Sequence, residues 1–205
     1  MSADSLAQPG VTNIDWSLAC GLMRPDVGEV LHFSEDPSIS AFAPHVAATA
    51  KDPTAFVWAV GHSQAPSYWF PRQCPRAMAW LAPSTTRADR DRILGSTNSR
   101  VHLVEYAWLQ RIQAARLFAY RFDAAEFEPY GDPDDPPAYV ARHAVRPLGP
   151  PEPVGDLMEL HEQAGIELRL APSLWPWWQE VITSSVGFSG IRLRNAHGQL
   201  SSGGG

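Results

Sequence analysis

Apolar and polar positions change over along this chain in short bursts, without long stretches of helical period. Glu29-Val30-Leu31-His32-Phe33 is an apolar burst closed by Ser34-Glu35-Asp36-Pro37, and it predicts a strand. Ile39 and Phe42, three apart, predict one turn of helix over residues 38–42. Further strands are expected at 55–60, ended by Gly61, at 77–81, 101–106 and 116–122, at 138–147 as a strand or edge segment, at 166–170, and at 191–194 as the last of them. Helical spacing is expected at 64–69, with Pro66 in its first turn, at 84–94 with Ser84 or Thr85 as cap and Gly95 as stop, and at 107–114, 156–164 and 174–184. Residues 71–75 form a proline-bounded loop, and the acidic, proline-rich stretch 123–137 a surface loop.

Many short strands with short helices between them, and no regular βαβ alternation, predict an α+β fold with a mixed, mostly antiparallel sheet. Residues 29–196 form the single domain. Residues 1–28 form an N-terminal arm with a short helix around Trp16–Met23, and 197–205, ending in Ser-Ser-Gly-Gly-Gly, a flexible tail.

The 205 residues are 44% hydrophobic and 19% charged, enough apolar material for a core and too much for a disordered chain. No apolar run approaches a membrane span, which excludes a helical membrane protein. The net charge of −6 and pI near 5.6 argue against a protein that lives on nucleic-acid phosphates. Cys20 and Cys74 make neither a disulfide framework nor a cysteine-rich zinc site. Residues 1–13 lack the basic and apolar regions of a signal peptide, so a cytoplasmic protein is expected. The aromatic content serves a pocket or a homodimer interface equally well.

No phosphate loop, dinucleotide fingerprint or zinc-protease helix is present, and Gly187-Phe188-Ser189-Gly190 lacks the outer glycine of a nucleophile elbow. His161-Glu162 has no partner at helical spacing, so no metal is expected. The candidate chemistry is therefore local. On the first strand His32 and Ser34 share one face and Phe33 takes the other. His32 can donate to a ribose hydroxyl or act as a general base, while its competing role is a bond to a backbone carbonyl. Tyr68 and Trp69 can stack on a planar ring, and Arg72 or Arg76 can pair with a phosphate or carboxylate; core packing is the competing role for Trp69 and Phe70. Cys74 lies between these two arginines, where a lowered pKa would make it a nucleophile and burial would make it inert. Glu167 and Arg169 share one strand face, toward water or a site, and Glu105 is a similar candidate. Trp175, Trp177 and Trp178 are expected to pack, and Arg192 and Arg194 alternate on the last strand, toward solvent or an anion.

The runs 31–39 (Leu-His-Phe-Ser-Glu-Asp-Pro-Ser-Ile), 68–72 (Tyr-Trp-Phe-Pro-Arg), 172–176 (Pro-Ser-Leu-Trp-Pro) and 187–194 (Gly-Phe-Ser-Gly-Ile-Arg-Leu-Arg) resemble a family of bacterial domains of unknown function over roughly residues 29–196. More distantly, a histidine on the first strand, a second strand at Val57-Trp58-Ala59 and then Ala65-Pro66-Ser67-Tyr68 resemble the ADP-ribosyltransferase-like superfamily. That resemblance implies a split antiparallel sheet with a cleft for NAD, bound as substrate rather than as a required cofactor. His32 would bind the adenosine-side ribose, the Phe33 backbone the nicotinamide amide, and Tyr68 the nicotinamide ring. Glu167 would bind the other ribose and support the cationic transition state. Phe33, Ser34, Glu35, Trp58, Arg72, Arg76, Glu105 and Arg169 complete the expected ligand-binding set. Gly165 stands where the superfamily has a glutamate or glutamine two residues before the catalytic glutamate. The expected function is an enzyme acting on a nucleotide-like or planar ligand at the N-glycosidic bond of NAD. The alternatives are an NAD-independent tailoring enzyme using His32 with Glu35 or Glu105, and a non-catalytic binding module.

Overall fold

The computed structural model describes residues 23–46, 53–131 and 137–198. Its strands are β1 (Glu29–Ser34), β2 (Val57–Ala59), β3 (Arg76–Trp80), β4 (Arg100–Glu105), β5 (Phe118–Asp123), β6 (Glu128–Tyr130), β7 (Ala138–Ala141), β8 (Glu152–Pro153), β9 (Glu167–Ala171) and β10 (Gly187–Ile191). Four short α-helices lie between them: α1 (Arg87–Asp89), α2 (Leu109–Ala114), α3 (Leu157–Gln163) and α4 (Trp175–Ile182). None of the described helices is long and apolar enough to cross a membrane. The helix expected near Trp16 and the glycine tail lie outside the described residues.

The strands form sheets ordered β1-β5-β8, β2-β7-β6 and β10-β3-β4-β9. Every strand pair is antiparallel except β4 with β9. Leu31 and Val60 exchange backbone bonds of 2.9 and 2.8 Å and so join the first two sheets. The expected mixed, antiparallel-dominated α+β architecture is what the chain adopts.

β1 separates two apolar clusters because its side chains alternate. Val30 packs with Phe42, Tyr120 and Phe122. Leu31 and Phe33 pack on the other side, with Trp69, Phe70, Val104, Ile112 and Leu160. That second cluster joins β1, the 3₁₀ turn Ala65–Tyr68, β4, α2 and α3. Leu31 and Phe70, at 0% and 1% exposure, contribute about 1.5–3 kcal/mol each by leaving water. Met23, from the expected arm, is buried in the same cluster, and its carbonyl accepts from Trp69 Nε1 at 3.0 Å.

Several elements differ from expectation. Residues 38–42 are not helical: Asp36 Oδ1 accepts from the Ser38 amide and hydroxyl, and Phe42 then pairs with Val145 as an extended bridge. The helix expected at 84–94 is α1 followed by a wider π turn at Arg90–Leu94, and its cap is Thr86, whose hydroxyl accepts from Asp89 N. The loop expected at 123–137 contains β6, an outer strand where Pro129 needs no inward N–H. The short β8 had no sequence signal. The last strand is Gly187–Ile191, not 191–194. Its glycines permit close contact: a Cβ on Gly190 would sit 2.6 Å from Leu193 and 2.8 Å from Trp178. Arg192 and Arg194 therefore do not alternate on a strand. Arg192 has left-handed backbone angles, and Leu193–Asn195 is a 3₁₀ turn.

Candidate functional site

His32 lies in the middle of β1 with its ring against Phe42, centroids 4.9 Å apart. Its Nδ1 is 2.7 Å from the Trp58 carbonyl. A carbonyl only accepts, so Nδ1 carries the proton and Nε2 presents a lone pair. Burial and the nearby Arg72 charge push the ring pKa down to about 4, against a weaker upward pull from the carbonyl bond. His32 is therefore neutral at pH 7 and a poor base, about three units below the working pH. The structural bond and the ligand role are compatible, because they use opposite nitrogens.

Tyr68 ends the 3₁₀ turn that starts at Ala65, with Pro66 in its first turn as expected. Burial raises its pKa, opposed by the charges of Arg76 and Arg192. Arg76 is 3% exposed, donating to Ser67 O at 2.7 Å and Cys74 O at 2.9 Å, with its guanidinium 5.7 Å from the Tyr68 ring centroid. Arg72 is exposed, and its carbonyl accepts from Arg192 Nε at 3.3 Å. The Arg72 charge reaches His32, and those of Arg76 and Arg192 reach Tyr68; the His32 ring lies with Phe42 on one side of β1, and Tyr68 packs with the cluster on the other.

The other expected residues have separate positions. Phe33 and Tyr68 are both partly buried and pack against the same core cluster. Ser34 is buried, its hydroxyl accepting from Asp36 N at 3.1 Å, so it braces the turn after β1. Glu35 is exposed. Trp58 packs edge-on against Tyr130 at 4.9 Å, and its buried indole N–H has no partner among the described residues. Glu105 is 2% exposed, and both its oxygens accept from the His197 amide at 2.9 and 3.1 Å, so its carboxylate holds backbone. Glu167 lies on the outer strand of another sheet, where Arg169 grips both its oxygens at 3.0 and 2.8 Å and Asn98 donates at 2.6 Å. Among the described residues no hydrogen bond, ion pair or ring contact joins Glu167 to His32 or Tyr68. Cys74 is fully buried, and desolvation pushes its thiol up to about 12, so it is inert in spite of its arginine neighbours.

A buried polar relay, for which the sequence reading held no expectation, joins β4 to α3. Arg100 Nε donates to His102 Nε2 at 2.9 Å, His102 Nδ1 is 3.0 Å from His161 Nε2, and His161 Nδ1 is 2.6 Å from Leu157 O. Arginine only donates and a carbonyl only accepts, so each imidazole is neutral and all three bonds run in one direction. Arg100 also holds Ser63 O and Ser67 Oγ at 2.8 and 2.7 Å, tying β4 and α3 to the turn that carries Tyr68. The available signal was a histidine inside the apolar strand Val101-His102-Leu103-Val104.

A groove of about 610 Å³ runs beside β9, lined by Glu167, Arg169, Leu170, Pro172, Pro176 and Trp177 among others. Among the described residues no group of three or more histidine, cysteine or acidic side chains is placed to hold a metal ion. A family model described as a family of unknown function, DUF6886, matches residues 31–196. No curated protein and no solved structure matches the chain.

Proposed function

The chain belongs to that family of unknown function, and from its own residues we propose that it binds a nucleotide-like ligand beside His32 and Tyr68 and cleaves or transfers at the N-glycosidic bond of NAD. The observation that supports this is the fixed tautomer of His32. With Nδ1–H committed to Trp58 O, Nε2 accepts from a hydroxyl such as that of a ribose. His32 orients the sugar in this reading and does not act as the base. Tyr68 supplies a ring for stacking, and Arg72 a guanidinium for phosphate oxygens. The C–N bond breaks with its electron pair going to nicotinamide, and a hydroxyl or water oxygen adds to the ribosyl carbon and gives up its proton to solvent. Glu167 is the carboxylate that would support the cationic centre, and its pair with Arg169 must open for it to do so. Glu35, exposed and three residues beyond His32, is the other carboxylate to test.

The test is nicotinamide release from NAD by the purified protein, with product identified by mass, for wild type, His32→Ala, Glu167→Ala and Glu35→Ala. Release that is lost in His32→Ala and in one glutamate variant, with folding intact, supports the reading. No binding and no release by wild type overturns it. The groove beside β9 favours a second reading, an NAD-independent enzyme acting on a small apolar molecule. The groove is lined by Leu170, Pro172, Pro176 and Trp177 together with the Glu167–Arg169 pair, and the Trp177 indole N–H lacks a partner among the described residues.

A further inference from the structure

We propose that Arg72, Arg192 and Arg194, backed by the buried Arg76, form a cradle for the phosphate groups of a small ligand, with pyrophosphate as its minimal form. This rests on the nucleotide reading above and names the part of the ligand that the arginines hold.

Two segments far apart in sequence build the cradle. The residues before β3 carry Arg72, and β3 itself opens on Arg76; the turn after β10 carries Arg192 and Arg194. The register of β10 on β3 sets Ile191 opposite Arg76. Arg192 Nε then bonds Arg72 O at 3.3 Å, and Asn195 Nδ2 bonds Gln73 O at 2.8 Å and Gln73 Oε1 at 3.3 Å. These contacts clamp the two segments together with their guanidinium groups in one another's field. Burial depresses the Arg192 pKa first, and the charges of Arg194 and Arg72 depress it further.

Among the described residues no ion pair balances the cluster. The ion pairs among the described residues use Arg87, Arg92, Arg121, Arg142 and Arg169, and none uses these four. The chain carries 22 acidic residues against 16 basic ones, so acids were not lacking. Glu105, on the neighbouring strand β4, is occupied by the His197 amide. Arg192 is also the one non-glycine residue with positive φ among the described residues, at +55°. An L-residue adopts that conformation at a cost, and glycine does not. Keeping a charged side chain there is explained by what the side chain holds. Guanidinium groups carried by two segments clamped together match an anion with many oxygens and more than one charge, which is phosphate chemistry.

The experiment is calorimetric titration of the full chain with inorganic pyrophosphate, for wild type, Arg192→Gly and Arg72→Gln. Wild type binds. Arg192→Gly and Arg72→Gln weaken binding at least about tenfold, the loss of one charge-assisted contact. Arg192→Gly is expected to melt no lower than wild type, because glycine takes the +55° angle freely, and this separates lost binding from lost folding. No pyrophosphate binding by wild type, or unchanged affinity in both arginine variants, overturns the cradle. Pyrophosphate binding without nicotinamide release leaves the cradle standing and removes the NAD reaction. Nicotinamide release that Arg192→Gly leaves unchanged does the reverse.

Discussion

His102 and His161, fifty-nine residues apart, share one proton bond of 3.0 Å in the middle of the core, with both rings uncharged. Arg100 feeds the chain at one end and Leu157 O closes it at the other. No part of it is left unpaired, which is what a buried polar network requires. Through Arg100 the same chain braces the turn under Tyr68.

Stability is expected to fall as pH drops below neutral. Burial holds the folded-state pKa of His161 down to about 4 and that of His102 well below its ordinary value. The unfolded chain takes up these protons first, near pH 6.5. The contribution of the neutral rings is therefore complete above that pH and is lost as pH falls toward 4. Between pH 7 and pH 5 the loss is at most about 2 kcal/mol per buried histidine. Urea unfolding at pH 7, 6 and 5 measures it, and a flat profile contradicts the neutral relay.

Gly190→Ala is expected to destabilise by about 1–3 kcal/mol through overpacking. The new methyl would meet Leu193 and Trp178 at 2.6 and 2.8 Å, and Gly187→Ala would press on the Trp80 indole in the same way. Thermal melting of both variants checks this. Melting like wild type would mean that β10 does not lie against these rings.

Cys74 is expected to resist iodoacetamide in the folded protein at pH 8 and to react readily in urea. Its thiol is buried and its pKa is pushed up to about 12, so thiolate is scarce. Peptide mass mapping reads the site directly, and rapid labelling under native conditions would restore it as a nucleophile.

Arg121→Met is expected to cost about 1 kcal/mol, and less in high salt, because its partners are partly solvated. Arg121 donates to Glu29 at 2.8 Å and to both oxygens of Glu152, tying β1, β5 and β8 through their polar edge. Denaturation at low and at high ionic strength checks both the size and the salt dependence. A loss that salt leaves unchanged would assign the effect to packing of the side-chain stem.

Local pattern carried far in this chain. Pro66 marked the turn before Tyr68, Gly95 stopped the helical segment it follows, and Asp156 caps α3 through its carboxylate. The apolar bursts at β1, β3, β4 and β5 are strands buried on both faces, and β9 packs Leu168 and Leu170 against the core. The last strand was expected at 191–194, but β10 is Gly187–Ile191, where missing side chains serve close contact with tryptophan.

Residue chemistry and short-range spacing alone determined the α+β class, most element positions and the singling out of His32, Tyr68, Arg72 and Arg76. Only the tertiary structure decided what those groups do. It gave His32 one committed nitrogen and one open one, closed Glu105 onto a backbone amide, paired Glu167 with Arg169 at a sheet edge, and brought Arg192 to Arg72 across 120 residues. Hydrogen-bond partners, burial and the field of neighbouring charges depend on residues remote along the chain. Those three quantities set tautomer, pKa and availability, and local sequence holds none of them.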